Sequence, residues 1–173
     1  MQQVNIRRAR AEEGSTLTDL SLASKAHWKY PQNYYRLWQQ ELTITADYIN
    51  EHTVYVCEKG GGICGYYSLV ELEEDLSTAG IVLKAGIWLE HMFVHPETIG
   101  EKIGTRMFNH LCGVVEGLGG SIIHLLADPH ARLFYEKMGC VYQQEYCSSI
   151  PGRTTPYLIF ELHNRVTEKR VNV

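Results

Sequence analysis

No run of eighteen apolar residues occurs in the chain, and no apolar signal-peptide core follows the basic opening "MQQVNIRRAR". A membrane-spanning helix needs about twenty such residues, so neither a span nor a secretory leader is expected and the protein is read as cytoplasmic. Cysteine is sparse and unpatterned. Cys57, Cys64, Cys112, Cys140 and Cys147 are odd in number and never stand as C-x-x-C, and their apolar or aromatic neighbours point to buried free thiols rather than metal or redox sites. Basic clusters are lacking too: 16 Lys and Arg against 20 Asp and Glu give a formal charge of -4, which excludes a broad nucleic-acid footprint. Linkers rich in Pro, Gly or Ser, internal repeats and low-complexity tracts are all missing. The 173 residues are therefore expected to form one domain spanning 1–173, with the polar end 164–173 a loose tail.

What is present is an alternation of strand and helix signals. "VNIRRA" reads as an edge strand, Ser15 or Thr16 as the cap of a helix through "LTDLSLASKAHW", and Tyr34, Leu37, Trp38 and Leu42 as one face of a second helix after Pro31. "TADYINEH" reads as a short third helix. "TVYVCEKGGGICGYYSLVEL" is a hairpin around "EKGGG", with Gly65 the mark of a bulge. The polar "EEDLSTAG" reads as a loop before the apolar strand "IWLEHMFV". Helix (101–118), strand ("SIIHLLA"), helix (about 130–138) and two strands ("CVYQQEYC", "TPYLIFEL") follow. The order describes an α/β domain with a mixed sheet covered by helices on both faces.

Two stretches carry candidate chemistry. In "FVHPETIGEKIGTRMFNHL", residues 93–111, a strand feeds a helix through a turn containing Gly100 and Gly104. Backbone N–H groups left over at such a helix start hold anions, and the diphosphate of a large cofactor fits the Gly100–Thr105 turn as well as a purely steric use of the glycines does. The stretch matches neither a triphosphate-binding loop nor a dinucleotide fingerprint. In "ADPHARLFYEKMGC", residues 127–140, the small Ala131 leaves room for a flat group beside a short helix and Tyr135 aims a phenol at the same gap. A packed tyrosine with a satisfied hydroxyl explains Tyr135 equally simply.

Together these two stretches resemble the acetyl-coenzyme-A-binding core of the GNAT acyltransferase superfamily. The resemblance covers nearly the full chain and is most specific in F-Y-E-K-M-G. It implies a single-domain, mostly antiparallel twisted sheet of about seven strands with helices on both faces, and an N-acetyltransferase that uses acetyl-coenzyme A and no metal. The family's cofactor loop, R/Q-x-x-G-x-G/A, falls on "IGEKIG". Gly104 matches it, whereas Ile99 replaces the usual Arg or Gln and Lys102 the usual Gly. By the same resemblance Phe93, Val94, Gly100, Glu101, Lys102, Ile103, Gly104, Thr105, Asp128 and Ala131 line the cofactor, Asp128 standing where Asn is frequent, and Tyr135 is the general acid beside the thioester sulfur. A lysine forced to positive φ in this loop would cost about 1 kcal/mol relative to glycine.

The acceptor amine must lose a proton, and Glu90, a carboxylate inside an apolar run, is the favoured recipient, its pKa expected to rise on burial; His91 or bound water is the alternative. Adjacent strand residues face opposite ways, so only one of Glu90 and His91 is expected to face the acceptor. His91 and His95 span roughly 13 Å along a strand and make no metal pair. His27, Trp28 and Tyr30 in "SKAHWKYP" are candidates to line an acceptor pocket, with Trp28 equally readable as core, and Arg153 is the candidate to meet an acceptor carboxylate from a loop. The acceptor is expected to be a small-molecule amine or a peptide, with neither nucleic acid nor membrane as a partner and a homodimer open. An acyl-coenzyme-A-binding regulator without turnover is the competing reading.

Overall fold

The computed structural model describes residues 3–78 and 80–163; the expected tail, 164–173, lies outside the described residues. Among the described residues nine strands and five α-helices alternate, in the order read from the sequence apart from two short strands, Leu76–Thr78 and Ile81–Leu83. They are β1 (Val4–Arg8), α1 (Gly14–His27), α2 (Tyr34–Glu41), α3 (Ala46–Glu51), β2 (Thr53–Lys59), β3 (Gly62–Leu72), β4 (Leu76–Thr78), β5 (Ile81–Leu83), β6 (Gly86–Val94), α4 (Ile103–Gly117), β7 (Ile122–Leu126), α5 (Arg132–Lys137), β8 (Val141–Cys147) and β9 (Thr154–Glu161). Seven strands form one sheet in the order β1-β2-β3-β6-β7-β9-β8, while β4 and β5 pair separately. β1–β2, β2–β3, β7–β9 and β8–β9 are antiparallel, and β6–β7 is parallel over Ile87–Leu89 against Ile123–Leu125. The fold is thus α/β with a mostly antiparallel seven-stranded sheet.

Two compact units divide the chain, one of the described residues up to Val70 with Glu90–Met107, the other of Glu71–Leu89 with the described residues from Phe108 onward. In the first unit, Leu17 and Leu20 of α1 meet Ile44, Ile49, Val54, Val56 and Tyr66, with Tyr48 and Phe93 packed against them. Burial of each such aliphatic side chain contributes about 1.5–3 kcal/mol. In the second unit Phe108 of α4 meets Phe160 of β9 edge-on at 5.2 Å. Trp88, His124, Tyr157 and Tyr146 make a row of stacked rings 5.0, 6.0 and 5.2 Å apart.

Two sequence expectations are corrected here. α1 does not begin at Ser15 or Thr16. A single 3-10 turn, Ala11–Glu13, leads straight into Gly14, and Glu13 caps it by accepting from the Arg10 N–H at 2.8 Å while holding Arg7. "EEDLSTAG" is not wholly loop: Leu76–Thr78 pairs with Ile81–Leu83. Each strand of that hairpin is only three residues long, too short to carry an alternating signal, so its pairing is invisible to periodicity.

The bulge expected at Gly65 is present. Cys57 faces Gly65 and Glu58 faces Ile63, so Cys64 is the extra residue. A Cβ on Gly65 would lie 3.0 Å from both the Phe93 carbonyl oxygen and the Met107 methyl, which explains the glycine. The displaced Cys64 carbonyl accepts from the His95 N–H at 2.8 Å and from the Thr98 hydroxyl at 3.4 Å. The bulge therefore anchors the segment that leaves β6. At the sheet's outer strands, β1 carries Arg7 and Arg8, and β8 has its own register shift between Tyr142 and Gln144.

Candidate active site

The strand-to-helix junction is built from local rules. His95 caps a 3-10 turn, Pro96–Thr98, by accepting the Glu97 N–H on Nδ1 at 3.3 Å, and the proline fixes its first φ. Gly100 then takes φ 91 and Lys102 φ 62, and the Lys102 carbonyl accepts the Arg106 N–H at 3.0 Å to start α4. The N–H groups of Ile103, Gly104 and Thr105 precede the α4 ladder and point out of its first turn. Ile103 is fully buried and pins the helix start, Gly100 and Lys102 are exposed, and Glu101 is ion-paired with Lys59. Nothing lies within 4 Å of where a Gly100 Cβ would be. The unladdered N–H groups at the positive end of a fifteen-residue helix, beside open space at Gly100, suit a diphosphate on charge. Phe93 and Val94 end β6 just before it, both half-buried.

Glu90 departs from expectation. Its side chain is 47% exposed, whereas His91 is 8% exposed, so the carboxylate is not the buried group that the apolar run suggested. Strand alternation separates the two residues in burial, yet both reach one hydroxyl. Tyr48 Oη makes a short hydrogen bond with Glu90 Oε2 and lies 2.8 Å from Ser68 Oγ and 3.1 Å from His91 Nδ1. Ser68 Oγ and His91 Nδ1 are 3.0 Å apart. Thr45 puts Tyr48 in place by capping α3, its hydroxyl accepting the Tyr48 N–H at 3.0 Å. Burial, and then the charge of Glu90, push the Tyr48 phenol up, so it stays a donor. Burial pushes His91 down from its ordinary value, against the opposing pull of Glu90. Neither Tyr48 nor Ser68 was legible as a site residue. A tyrosine on a six-residue helix and a serine in an apolar strand carry no spacing signal, and only the fold joins them.

In the second unit, Asp128 caps a 3-10 turn, Pro129–Ala131, by accepting the His130 N–H at 3.0 Å, and α5 continues from the half-buried Ala131. Tyr135 is 6% exposed, between Phe134 at 5.1 Å and Phe108 at 6.2 Å. Its hydroxyl has no hydrogen-bond partner among the described residues, and no buried side-chain polar atom is left unsatisfied. Burial raises the Tyr135 phenol well above its ordinary value and keeps it protonated at neutral pH.

The acceptor candidates fare unevenly. Arg153 does not stand free in its loop: its guanidinium donates to Asp128 Oδ2 at 3.3 Å, both side chains being nearly buried, which ties it to the turn before α5. Trp28 is 41% exposed and not core, with His27 edge-on at 5.0 Å. Tyr30 packs edge-on against Trp38 at 4.9 Å, and the buried Lys25 sets its ammonium 4.6 Å from the Trp38 ring and 5.9 Å from Phe93. Lys25 was missed because a lysine in a helix normally reads as solvated. Four cysteines are buried as expected, but Cys147 is exposed at the end of β8, where no strand covers it. It borders a cavity of about 450 Å³ between β5 and β8, lined also by Ile81, Val82, Lys84, Glu145 and Tyr146 and by none of the expected site residues. Among the described residues no group of three or more His, Cys, Asp or Glu is arranged to hold a metal, and no helix is long and apolar enough to cross a membrane.

No curated protein matches the chain in sequence. Solved structures match it in fold. A GCN5-related N-acetyltransferase from Rhodopseudomonas palustris superposes with a TM-score of 0.73 at 17% identity, over 93% of this chain and 97% of the other. The PaiA N-acetyltransferase from Thermoplasma acidophilum, in complex with coenzyme A, gives 0.70 at 15% identity, over 92% and 99%. The ribosomal-protein-S18-alanine N-acetyltransferase from Escherichia coli gives 0.64 at 14% identity, over 92% and 94%. The acetyltransferase (GNAT) domain matches residues 50–140, more than half of the chain, from the end of α3 through the junction to α5, and the chain belongs to that family.

Proposed function

We propose that this protein is an N-acetyltransferase that moves an acetyl group from acetyl-coenzyme A to the primary amine of a small molecule or peptide, as a single domain over 1–173 in the cytoplasm. The observation that carries the proposal is the junction before α4, where left-handed Gly100 and Lys102 leave the first helical N–H groups facing open space. Acetyl-coenzyme A supplies an activated thioester whose sulfur leaves as a thiolate. The N–H groups of Ile103, Gly104 and Thr105 are assigned to the diphosphate, with Lys102 adding positive charge and Phe93, Val94, Gly100 and Glu101 beside them in the first unit; Asp128 and Ala131 of the second unit are assigned to the cofactor separately. Glu90, hydrated and ionisable, receives the proton of the attacking amine. Tyr135, held protonated and with its hydroxyl uncommitted, donates to the departing sulfur. His27, Trp28 and Tyr30 are the residues we assign to the acceptor. Arg153 acts from behind, by fixing Asp128. Neither nucleic acid nor membrane is a partner, and a homodimer is compatible with the fold.

The test is release of coenzyme A thiol from acetyl-coenzyme A across a panel of polyamines, aromatic amines, amino acids and peptide N-termini. Release that depends on one class of amine is expected. Coenzyme A binding in calorimetry without release for any amine would instead support an acyl-coenzyme-A-binding regulator, a reading that the non-glycine residue at φ 62 in the turn favours. No coenzyme A binding at all would overturn both.

A further inference from the structure

Glu90, Tyr48, Ser68 and His91 form a line of contacts whose hydrogen atoms can be counted. From the carboxylate inward the contacts are Glu90 Oε2 with Tyr48 Oη, Tyr48 Oη with Ser68 Oγ at 2.8 Å, and Ser68 Oγ with His91 Nδ1 at 3.0 Å. The backbone of Glu41, at the end of α2, favours the protonated ring, and with Nδ1 turned to the two hydroxyls Nε2 is the nitrogen left to face it. A carbonyl has no proton to offer, so Nε2 donates there, and the neutral ring presents a lone pair at Nδ1. With Glu90 ionised, two hydroxyl protons then serve three contacts. One contact must set lone pair against lone pair.

A third proton completes the line in either of two ways. Placed on Glu90, it gives a chain of donors running inward, from Glu90 to Tyr48 to Ser68 to Nδ1. Placed on Nδ1, it gives the same chain reversed, from the imidazolium out to the carboxylate. We propose that this line is a proton relay, in which the proton taken from the acceptor amine by Glu90 is passed through Tyr48 and Ser68 to His91. In the uptake step an amine N–H bond breaks as an O–H bond forms at Glu90 Oε2. In the shift, Glu90 gives that proton to Tyr48 Oη, the Tyr48 proton goes to Ser68 Oγ and the Ser68 proton to His91 Nδ1. The carboxylate is thereby returned ionised, and no tyrosinate forms because the shifts are concerted.

Tyr48, Ser68 and His91 are positioning residues in this scheme, since Glu90 alone meets the acceptor. The inference rests on the reading that Glu90 takes the amine proton. The groups facing His91 are Glu90 of β6, Tyr48 of α3, Tyr66 and Ser68 of β3, Lys25 of α1, His52 after α3 and the Glu41 backbone of α2. Burial, Lys25 and His52 oppose the imidazolium, whereas Glu90 favours it, and the proton leaves by the reverse of the same shifts, from His91 back to the exposed Glu90 carboxylate and on to solvent. Tyr48 also touches Nδ1 directly at 3.1 Å, which makes it common to every route between carboxylate and ring.

The experiment is a long-range proton–nitrogen NMR titration of His91 in the intact protein, with the signal assigned by His91→Gln. The neutral ring is expected as the Nε2–H tautomer. Glu90→Gln should move the His91 titration to lower pH by about one unit, the size at which two sites titrate as a pair. In a Tyr48→Phe background much of that shift should remain, since the Glu90 charge acts on the ring directly across 3.9 Å. Turnover in Tyr48→Phe should fall about tenfold to a hundredfold, with its acid limb displaced to lower pH and KM for acetyl-coenzyme A unchanged, and Ser68→Ala should do the same to a smaller degree. An Nδ1–H tautomer, or a turnover and acid limb unchanged in Tyr48→Phe, would overturn the relay while leaving the transferase reading intact. Absence of turnover with every amine would overturn the transferase reading and with it the source of the proton, whatever His91 does.

Discussion

Gly100 and Lys102 stand two residues apart in the same turn, both left-handed, and substitutions at them should move stability in opposite directions. At Gly100, φ is 91 and a Cβ would meet nothing within 4 Å, so Gly100→Ala adds torsional strain and no clash. An L-residue in left-handed backbone costs about 1–2 kcal/mol. The narrower unfolded ensemble of alanine returns about 0.4–1 kcal/mol, leaving a net loss near 1 kcal/mol. At Lys102, φ is 62 and the strain is already present. Lys102→Gly removes about 1–2 kcal/mol of it and adds roughly 0.5–1 kcal/mol of unfolded-state entropy, for a net gain of up to about 1 kcal/mol. At 2–4 °C per kcal/mol for a chain of this size, Gly100→Ala should lower Tm by about 2–4 °C and Lys102→Gly should raise it by about 1–3 °C. Differential scanning calorimetry of the two variants beside the parent reads both. Shifts of the same sign, or a Gly100→Ala variant as stable as the parent, would refute the left-handed turn before α4.

Tyr135→Phe keeps the ring between Phe108 and Phe134 and deletes a hydroxyl that bonds nothing, so Tm and coenzyme A affinity should hold while the maximal rate falls roughly 10 to 1000-fold; an undiminished rate would remove Tyr135 as the acid. Gly104→Val should crowd the backbone N–H groups and weaken coenzyme A binding in calorimetry with the fold retained, and equal affinity would count against the diphosphate assignment. The Arg7 guanidinium holds the nearly buried Glu13 carboxyl at about 2, down from its ordinary 4.5, so this pair stabilises the fold fully above pH 4.5 and loses its effect as pH falls toward 2. Glu13→Gln should therefore cost on the order of 2–3 kcal/mol in urea unfolding at pH 7, and the gap from the parent should close through that window. A gap that is the same at pH 7 and at pH 2.5 would show that the charge is not what stabilises.

The fold was legible wherever periodicity was strong. β2, β3 and β6 combine β-branched and aromatic runs with glycine boundaries, and α4 repeats Ile103, Met107 and Leu111 at helical spacing, so their order and extent follow from the residues alone. Legibility failed where paired strands are too short to carry an alternating signal, as at Leu76–Thr78 with Ile81–Leu83. It failed again where a cap competes, since Glu13 starts α1 in place of Ser15 or Thr16. Around the site, the turn before α4 could be read because its backbone chemistry is local. Glu90 was readable as a polar intrusion in an apolar strand but not as an exposed one, because periodicity gives a face and not what covers it. Tyr48, Ser68 and Lys25 acquire their surroundings from other elements of the fold, as Tyr48 does from Ser68 and Glu90 and Lys25 from Trp38 and Phe93, and no spacing within a single sequence carries that information.

The two outer strands of the sheet bear on how the protein behaves when concentrated. Unpaired strand edges are templates for further strands, and a flat, regular edge invites chain-to-chain growth. β1 presents the charged Arg7 and Arg8, and β8 breaks its ladder between Tyr142 and Gln144 and continues through the exposed polar Gln143, Gln144 and Glu145. A strand added to β8 would lose register at that irregularity, and one added to β1 would bring guanidinium groups against their copies. Crowded solutions of the folded protein should therefore resist fibrillar assembly, and any aggregate that forms should trace to chains that have opened.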